Sequence, residues 1–146
     1  MITKRISLLL LLMGLISCLM SCSKEDDNRV DADSRLFQHW VMTGYGNDQE
    51  FHPGDGPDEK MYAEITFYSD GTFDGFVLPN KRSGKYVCYE NQIRILTYEG
   101  HLVASDDPVY RHIGKYISQV YSYLLVTDTE LRLYYMGDNY FRFKSI

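Results

Sequence analysis

Met61-Tyr62-Ala63-Glu64-Ile65-Thr66-Phe67-Tyr68 and Thr72-Phe73-Asp74-Gly75-Phe76-Val77-Leu78, separated by Ser69-Asp70-Gly71, decide the fold of this chain. The runs are rich in aromatic and β-branched residues, and Gly71 can take the positive φ of a tight reversal, so the stretch reads as an antiparallel hairpin. The pattern continues in both directions. Upstream, Phe37 to Tyr45 reads as a first strand around Trp40, and Gly46 to Glu59 as a loop rich in Gly, Pro and acid. Downstream come a turn at Pro79 to Ser83, a strand from Gly84 to Tyr89, a turn at Glu90-Asn91, a strand from Gln92 to Tyr98, and an extended piece from His101 to Ser105. Strands also fit Tyr123 to Thr127, Glu130 to Tyr135 and Tyr140 to Lys144, the last with Tyr140, Arg142 and Lys144 alternating with Phe141 and Phe143. Turns about every ten residues predict a mainly β chain: an antiparallel meander forming a small barrel or barrel-like sheet.

One helix interrupts the meander, before the last three strands. Asp106-Asp107-Pro108 supplies a capping carboxylate and a proline at the first helical position. Val109, Ile113, Tyr116, Ile117, Val120 and Tyr121 follow at helical spacing, while Arg111, His112, Lys115 and Gln119 fall largely on the other face.

The N-terminus carries an address. Lys4 and Arg5 precede an apolar segment from Ile6 to Met20 with five consecutive leucines, Leu8 to Leu12, and the polar Ser23-Lys24-Glu25-Asp26-Asp27-Asn28 follows. A bilayer-spanning helix needs about 20 apolar residues, so this layout reads as a signal peptide over 1–21. Leu19-Met20-Ser21-Cys22 and Leu15-Ile16-Ser17-Cys18 both resemble the bacterial lipobox, whose cysteine is diacylated and becomes the new N-terminus. Cys22 is preferred to Cys18 as the lipid-attachment residue because the charged tail starts directly after it. That tail is similar to the export signal of surface-exposed lipoproteins of Bacteroidota, which implies an outer-membrane lipoprotein displayed at the cell surface. The organisation expected is therefore signal peptide 1–21, flexible acidic tether 22–35 and a β domain over 36–146, long enough for one core.

Loss of 1–21 leaves 13 basic against 20 acidic residues, a formal charge of −7, which argues against nucleic acid as a partner. With Cys22 acylated and Cys18 removed, Cys88 is the remaining thiol, so no intramolecular disulfide is available and packing must hold the fold.

The order of elements resembles the META domain of bacterial envelope lipoproteins, related to heat-shock-induced envelope proteins. The resemblance covers most of 36–146. It rests on Ile65-Thr66-Phe67 with Asp70-Gly71-Thr72-Phe73, on Ser83-Gly84-Lys85-Tyr86, and on the helix leading into Tyr121-Ser122-Tyr123 and Thr129-Glu130-Leu131-Arg132-Leu133-Tyr134. Two positions depart from that family: Gln38 where it usually has Gly, and Leu78-Pro79-Asn80 where many members have Gly-Cys-Asn. A lipocalin-like domain of Bacteroidota lipoproteins is the rival resemblance. It shares the Trp-bearing first strand and the Asp-Gly hairpin. Either implies a meander closed into, or nearly into, a barrel, and neither supplies catalytic residues.

The chain's own chemistry is sparse. Its histidines, His39, His52, His101 and His112, include no pair three or four residues apart, and no His-Glu-x-x-His or Cys-x-x-Cys occurs, so no metal or cofactor is expected. Cys88 sits in a strand pattern that favours a buried core residue over a nucleophile. Asp48, Glu50, Asp55, Asp58 and Glu59 are oxygen ligands by type, but they match no EF-hand spacing and read as a solvated loop. The 13 tyrosines suit either half-buried strands or a binding surface. The expected function is a monomeric, non-enzymatic binding or interaction lipoprotein, joined to the membrane by its lipid and meeting a small ligand, a glycan or an envelope protein. The alternative is a surface hydrolase or enzyme inhibitor on the same scaffold.

Overall fold

The computed structural model describes residues 29–53, 62–100 and 104–146. The segment expected to be a signal peptide, Cys18, Cys22, the expected tether up to Asn28, Asp55, Asp58, Glu59 and His101 lie outside the described residues.

Eight antiparallel strands close a barrel, as the sequence pattern predicts. In chain order the strands are β1 (Val30–Asp31), β2 (His39–Gly46), β3 (Phe51–Pro53), β4 (Ala63–Phe67), β5 (Thr72–Val77), β6 (Asn80–Tyr89), β7 (Gln92–Glu99), β8 (Ser122–Thr127), β9 (Glu130–Tyr135) and β10 (Asn139–Ser145). The hydrogen-bonded path runs β6-β5-β4-β2-β10-β9-β8-β7, and β7 returns to β6. β1 and β3 are additions, on β6 and β2 respectively. The one α-helix among the described residues, α1 (Pro108–Tyr116), continues into a 3-10 turn, Ile117–Gln119.

The central hairpin forms for the reasons its sequence suggests. Gly71 has φ +84°, and Asp70 Oδ1 accepts hydrogen bonds from the Thr72 amide and hydroxyl at 2.9 and 2.6 Å, which fixes the reversal. The strand period of two then puts Ala63, Ile65 and Phe67 of β4 and Phe73 and Val77 of β5 inside. β2 alternates without a break, placing Trp40 and Met42 in the core, and Trp40 Nε1 donates to the Leu36 carbonyl at 2.9 Å. α1 opens as its sequence predicts: Asp107 Oδ1 accepts from the Val109 amide at 2.8 Å, with Pro108 in the first turn. Ile113, Ile117 and Val120 are buried from this segment and enter the barrel's core cluster.

Several details differ from the sequence reading. β6 begins at Asn80 instead of Gly84, because Lys81, Arg82 and Ser83 pair with Phe76, Gly75 and Asp74, so Leu78-Pro79 alone makes the turn. The acidic loop contains β3, whose Phe51 to Pro53 pair with Gly46 to Gly44. Tyr140 is 5% exposed, although its position faces outward. The Arg132 guanidinium lies 4.4 Å over its ring and Phe51 stacks at 6.0 Å, so neighbours on the barrel's outer wall cover it. Tyr121 leaves the helical stripe and is 49% exposed, because the 3-10 turn ends at Gln119 and the chain is already extended at Val120, so Tyr121 lies beyond the helix.

The segment assigned to the tether, 22–35, contributes structure from Arg29 onward. Val30 and Asp31 pair in parallel with Cys88 and Tyr89, and the Cys88 amide donates to the Arg29 carbonyl at 3.0 Å. Asp33 caps the turn Ser34–Leu36, its amide donates to the Tyr123 hydroxyl at 3.3 Å, and Arg35 bridges Asp33 and Asp128 at 2.6 and 2.8 Å. The folded unit thus starts before Leu36. A chain begun at Leu36 is expected to unfold at lower urea concentration than one begun at Arg29, by about 2 kcal/mol from the lost apolar contact and hydrogen bonds, as equilibrium fluorescence of Trp40 will measure.

Candidate functional site: an aromatic end beneath the helix

α1 lies across the end of the barrel where β2 finishes and β4 begins. Because its first turns pack there, the rings of both layers meet. His112 is the centre of this layer. Its ring stacks on Tyr45 at 4.6 Å, tilts against Tyr116 at 4.9 Å, and meets Tyr135 and Phe141 edge-on at 5.7 and 6.3 Å. Its Nε2 and the Tyr135 hydroxyl are 2.8 Å apart. Tyr62 and Tyr110 extend the layer at 5.3 Å from each other, and His52 lies 5.2 Å from Tyr45. His112 therefore does not belong to the solvated helix face assigned to it. Tyr45, Tyr62, Tyr110 and Tyr116 are half-buried, so each presents part of its ring at the surface.

The electrostatics keep this layer neutral. Burial raises the phenol pKa values of Tyr45, Tyr110 and Tyr135, the last to about 12, so all three are O–H donors. Burial also lowers the pKa of His112, and nearby His52 and Lys115 act in the same direction. The layer offers apolar ring faces and neutral donors, the combination found where proteins grip a partner's surface.

The other candidates are dispersed. His39 stands on the outer wall of β2 with both nitrogens engaged, Nδ1 with Thr66 Oγ1 at 3.0 Å and Nε2 with Glu64 at 3.1 Å, leaving none free to act on a substrate. His52 is exposed, 3.5 Å from Glu50. Asp48 accepts from Tyr140 at 3.1 Å and from Arg132 at 3.4 Å, which ties the loop to the outer wall. Among the described residues no three His, Cys, Asp or Glu side chains gather as metal ligands do. Cys88 is 2% exposed beside Tyr86 and Tyr123, and burial pushes its thiol pKa up to about 11, opposite to what an attacking thiolate needs.

The interior itself is packed. Trp40, Phe67, Phe73, Tyr86, Phe141 and Phe143 occupy it at 0 to 3% exposure. Between β4, β5, β6 and the 3-10 turn, the gap bounded by Ala63, Phe73, Val77, Ile117 and Phe143 measures about 10 Å³, the room of one water.

Two outcomes test this description. Ellman's reagent should leave Cys88 unlabelled in the folded protein and label it on denaturation. Stability should also fall on mild acidification: the unfolded chain takes up a proton at the ordinary histidine pKa of 6.5, while folded His112 resists it to lower pH. Melting temperature should therefore decrease as the pH is lowered through the histidine range, with a shallower slope for His112→Phe.

No family model matches this chain, and no curated protein matches it in sequence. Solved structures do resemble it. A DUF4847-family protein from Bacteroides vulgatus is 15% identical with a TM-score of 0.55, covering 75% of this chain and 92% of that one. A protein from Burkholderia xenovorans is 15% identical with a TM-score of 0.57, covering 85% and 97%. An uncharacterised protein from Bacteroides eggerthii is 13% identical with a TM-score of 0.50, covering 76% and 99%. None carries the META or lipocalin name, and at such identities the likeness is one of fold: the chain shares a small β-barrel with proteins of uncharacterised function.

Proposed function

We propose that this chain is a cell-envelope lipoprotein, anchored through Cys22 to the outer membrane, whose barrel is a non-enzymatic interaction domain that holds an envelope protein on its outer surface. The observation that carries the reading is the contrast between a filled interior and an aromatic end. Core side chains occupy the barrel where a lipocalin-type ligand would sit, whereas Tyr45, Tyr62, Tyr110 and Tyr116 stand half-open around His112 at one end. Tyrosine buries a large rigid area and keeps a hydroxyl for a partner, so such a group suits protein recognition. The basic-then-apolar N-terminus and the Ser21-Cys22 junction support the anchor. A META-like or lipocalin-like relationship fits the helix placed before the last three strands, and it belongs to this proposal.

Mass spectrometry of the mature N-terminal peptide is expected to find Cys22 as the first residue and diacylated, and protease shaving of intact cells to release the barrel. For the partner, a photo-reactive residue at Tyr62 or Tyr110 should cross-link in cells to one discrete envelope protein. The same residue at Tyr89, at the far end of β6, should not. Equal cross-linking from both ends would sink the aromatic surface, and an unmodified Cys22 would remove the anchor.

A further inference from the structure

Arg82 is the one charged side chain buried among the described residues, at 8% exposure. It is buried because β6 points Arg82, Tyr86 and Cys88 inward together, so a guanidinium stands where the strand pattern puts apolar groups. Its guanidinium lies over the Tyr98 ring, 4.9 Å from the centroid. Arg82 Nε and the Tyr98 hydroxyl are both buried without a hydrogen-bond partner. No carboxylate among the described residues ion-pairs with Arg82. Burial holds the Tyr98 phenol pKa up to about 12 against the opposing pull of the neighbouring Arg82, so its hydroxyl keeps a proton to donate. Two adjacent buried donors without an acceptor are costly, and folded proteins keep few of them.

The space beside them is shaped to supply the acceptor. Across the β5–β6 hairpin Arg82 faces Gly75, where no side chain can grow because a Cβ would collide with the Glu64 carbonyl oxygen. The gap of about 10 Å³ borders Arg82, Tyr98 and Gly75, and it has the size of a single oxygen atom. It shares Glu64, Gly75, Phe76 and Arg82 with an open depression of about 660 Å³, whose walls include Pro79, Lys81 and Gly100. At Gly100 the backbone comes close enough that a Cβ would stand 3.2 Å from Arg82 Nη1, so glycine leaves the end of the guanidinium accessible. The acids of the depression are engaged elsewhere: Glu64 is 3.1 Å from His39 Nε2, and Asp74 accepts from the Tyr68 hydroxyl at 3.1 Å.

We infer that Arg82 and Tyr98 form a receptor for the carboxylate of a small organic acid. One carboxylate oxygen enters the gap and accepts from Arg82 Nε–H and Tyr98 O–H, and the other accepts from a terminal guanidinium nitrogen. The remainder of the ligand lies in the depression along Phe76, with Lys81 at its edge. The side-on edge of a guanidinium matches a carboxylate in spacing and plane, which an ammonium cannot reproduce. The site shares no residue with the aromatic layer around His112, so its test reads independently of the envelope partner.

The test is an NMR titration of the arginine Nε–Hε resonances with sodium acetate replacing sodium chloride at constant ionic strength. The Arg82 resonance should shift and saturate with a Kd of about 1–10 mM. Arg82→Met should lose that binding without melting at a lower temperature, since an apolar side chain of similar length relieves the unpaired charge. Glu64→Gln, which removes the negative charge bordering the gap, should bind acetate several-fold more tightly. If Arg82→Met fails to fold, Tyr98→Phe carries the test by removing one hydroxyl, and it should weaken acetate while the barrel persists. An Arg82 resonance indifferent to acetate at about 100 mM, or shifting equally with chloride alone, overturns the inference and leaves the gap to a bound water.

Discussion

The barrel depends on what fills the seam between β7 and β8. Gln92 and Ser122 are the register partners that join these strands, supported by backbone bonds from Ile93 to Tyr121 at 3.1 Å and from Tyr123 to Asn91 at 2.9 Å. Beyond that point the strands part, and the rest of β7 packs against the 3-10 turn that follows α1. An open sheet edge of this kind invites other strands to pair with it. Here the chain's own helical connection covers it, and the same connection delivers Ile113, Ile117 and Val120 into the core. One segment thus both lines the seam and helps fill the interior. The interior is consequently occupied by the chain's own side chains, with room for about one water between β4, β5, β6 and the 3-10 turn.

The ionisable groups divide along the same line. Burial pushes buried or half-buried groups toward their neutral forms: the Tyr135 and Tyr98 phenols, the Cys88 thiol and the His112 imidazole. Exposed groups keep their charges in local pairs such as Arg35 with Asp33 and Asp128, which fix turns and contribute little to stability. Arg82 breaks the division, being buried, charged and unpaired among the described residues. The proposed carboxylate receptor rests on this departure from an otherwise consistent pattern.

Local signals made much of the fold legible in the sequence. The Asp70-Gly71 hairpin, the Asp107-Pro108 start of the helix and the β9 strand, whose bounds are Glu130 and Tyr135 in both readings, all arise from residues within a few positions of one another. The elements that escaped are those whose cause is distant. Val30–Asp31 is a strand because β6 offers its edge at Cys88, and Lys81 to Ser83 are strand because β5 lies opposite. The candidate site was less legible still. His112 sits among polar neighbours in sequence, and only the arrival of Tyr45 from β2 and Tyr135 from β9 makes it the centre of an aromatic layer.

The sequence by itself determined the class of the fold, the place of its helix and the expectation of an anchored, acidic envelope protein, because periodicity, capping and a leader's polarity are written in neighbouring residues. The tertiary structure alone decided that the barrel is filled, that four half-exposed tyrosines share one end with His112, and that Arg82 turns inward with no acid among the described residues to meet it. Those facts follow from shear and register, which set which distant side chains converge, and no local stretch of the chain encodes them.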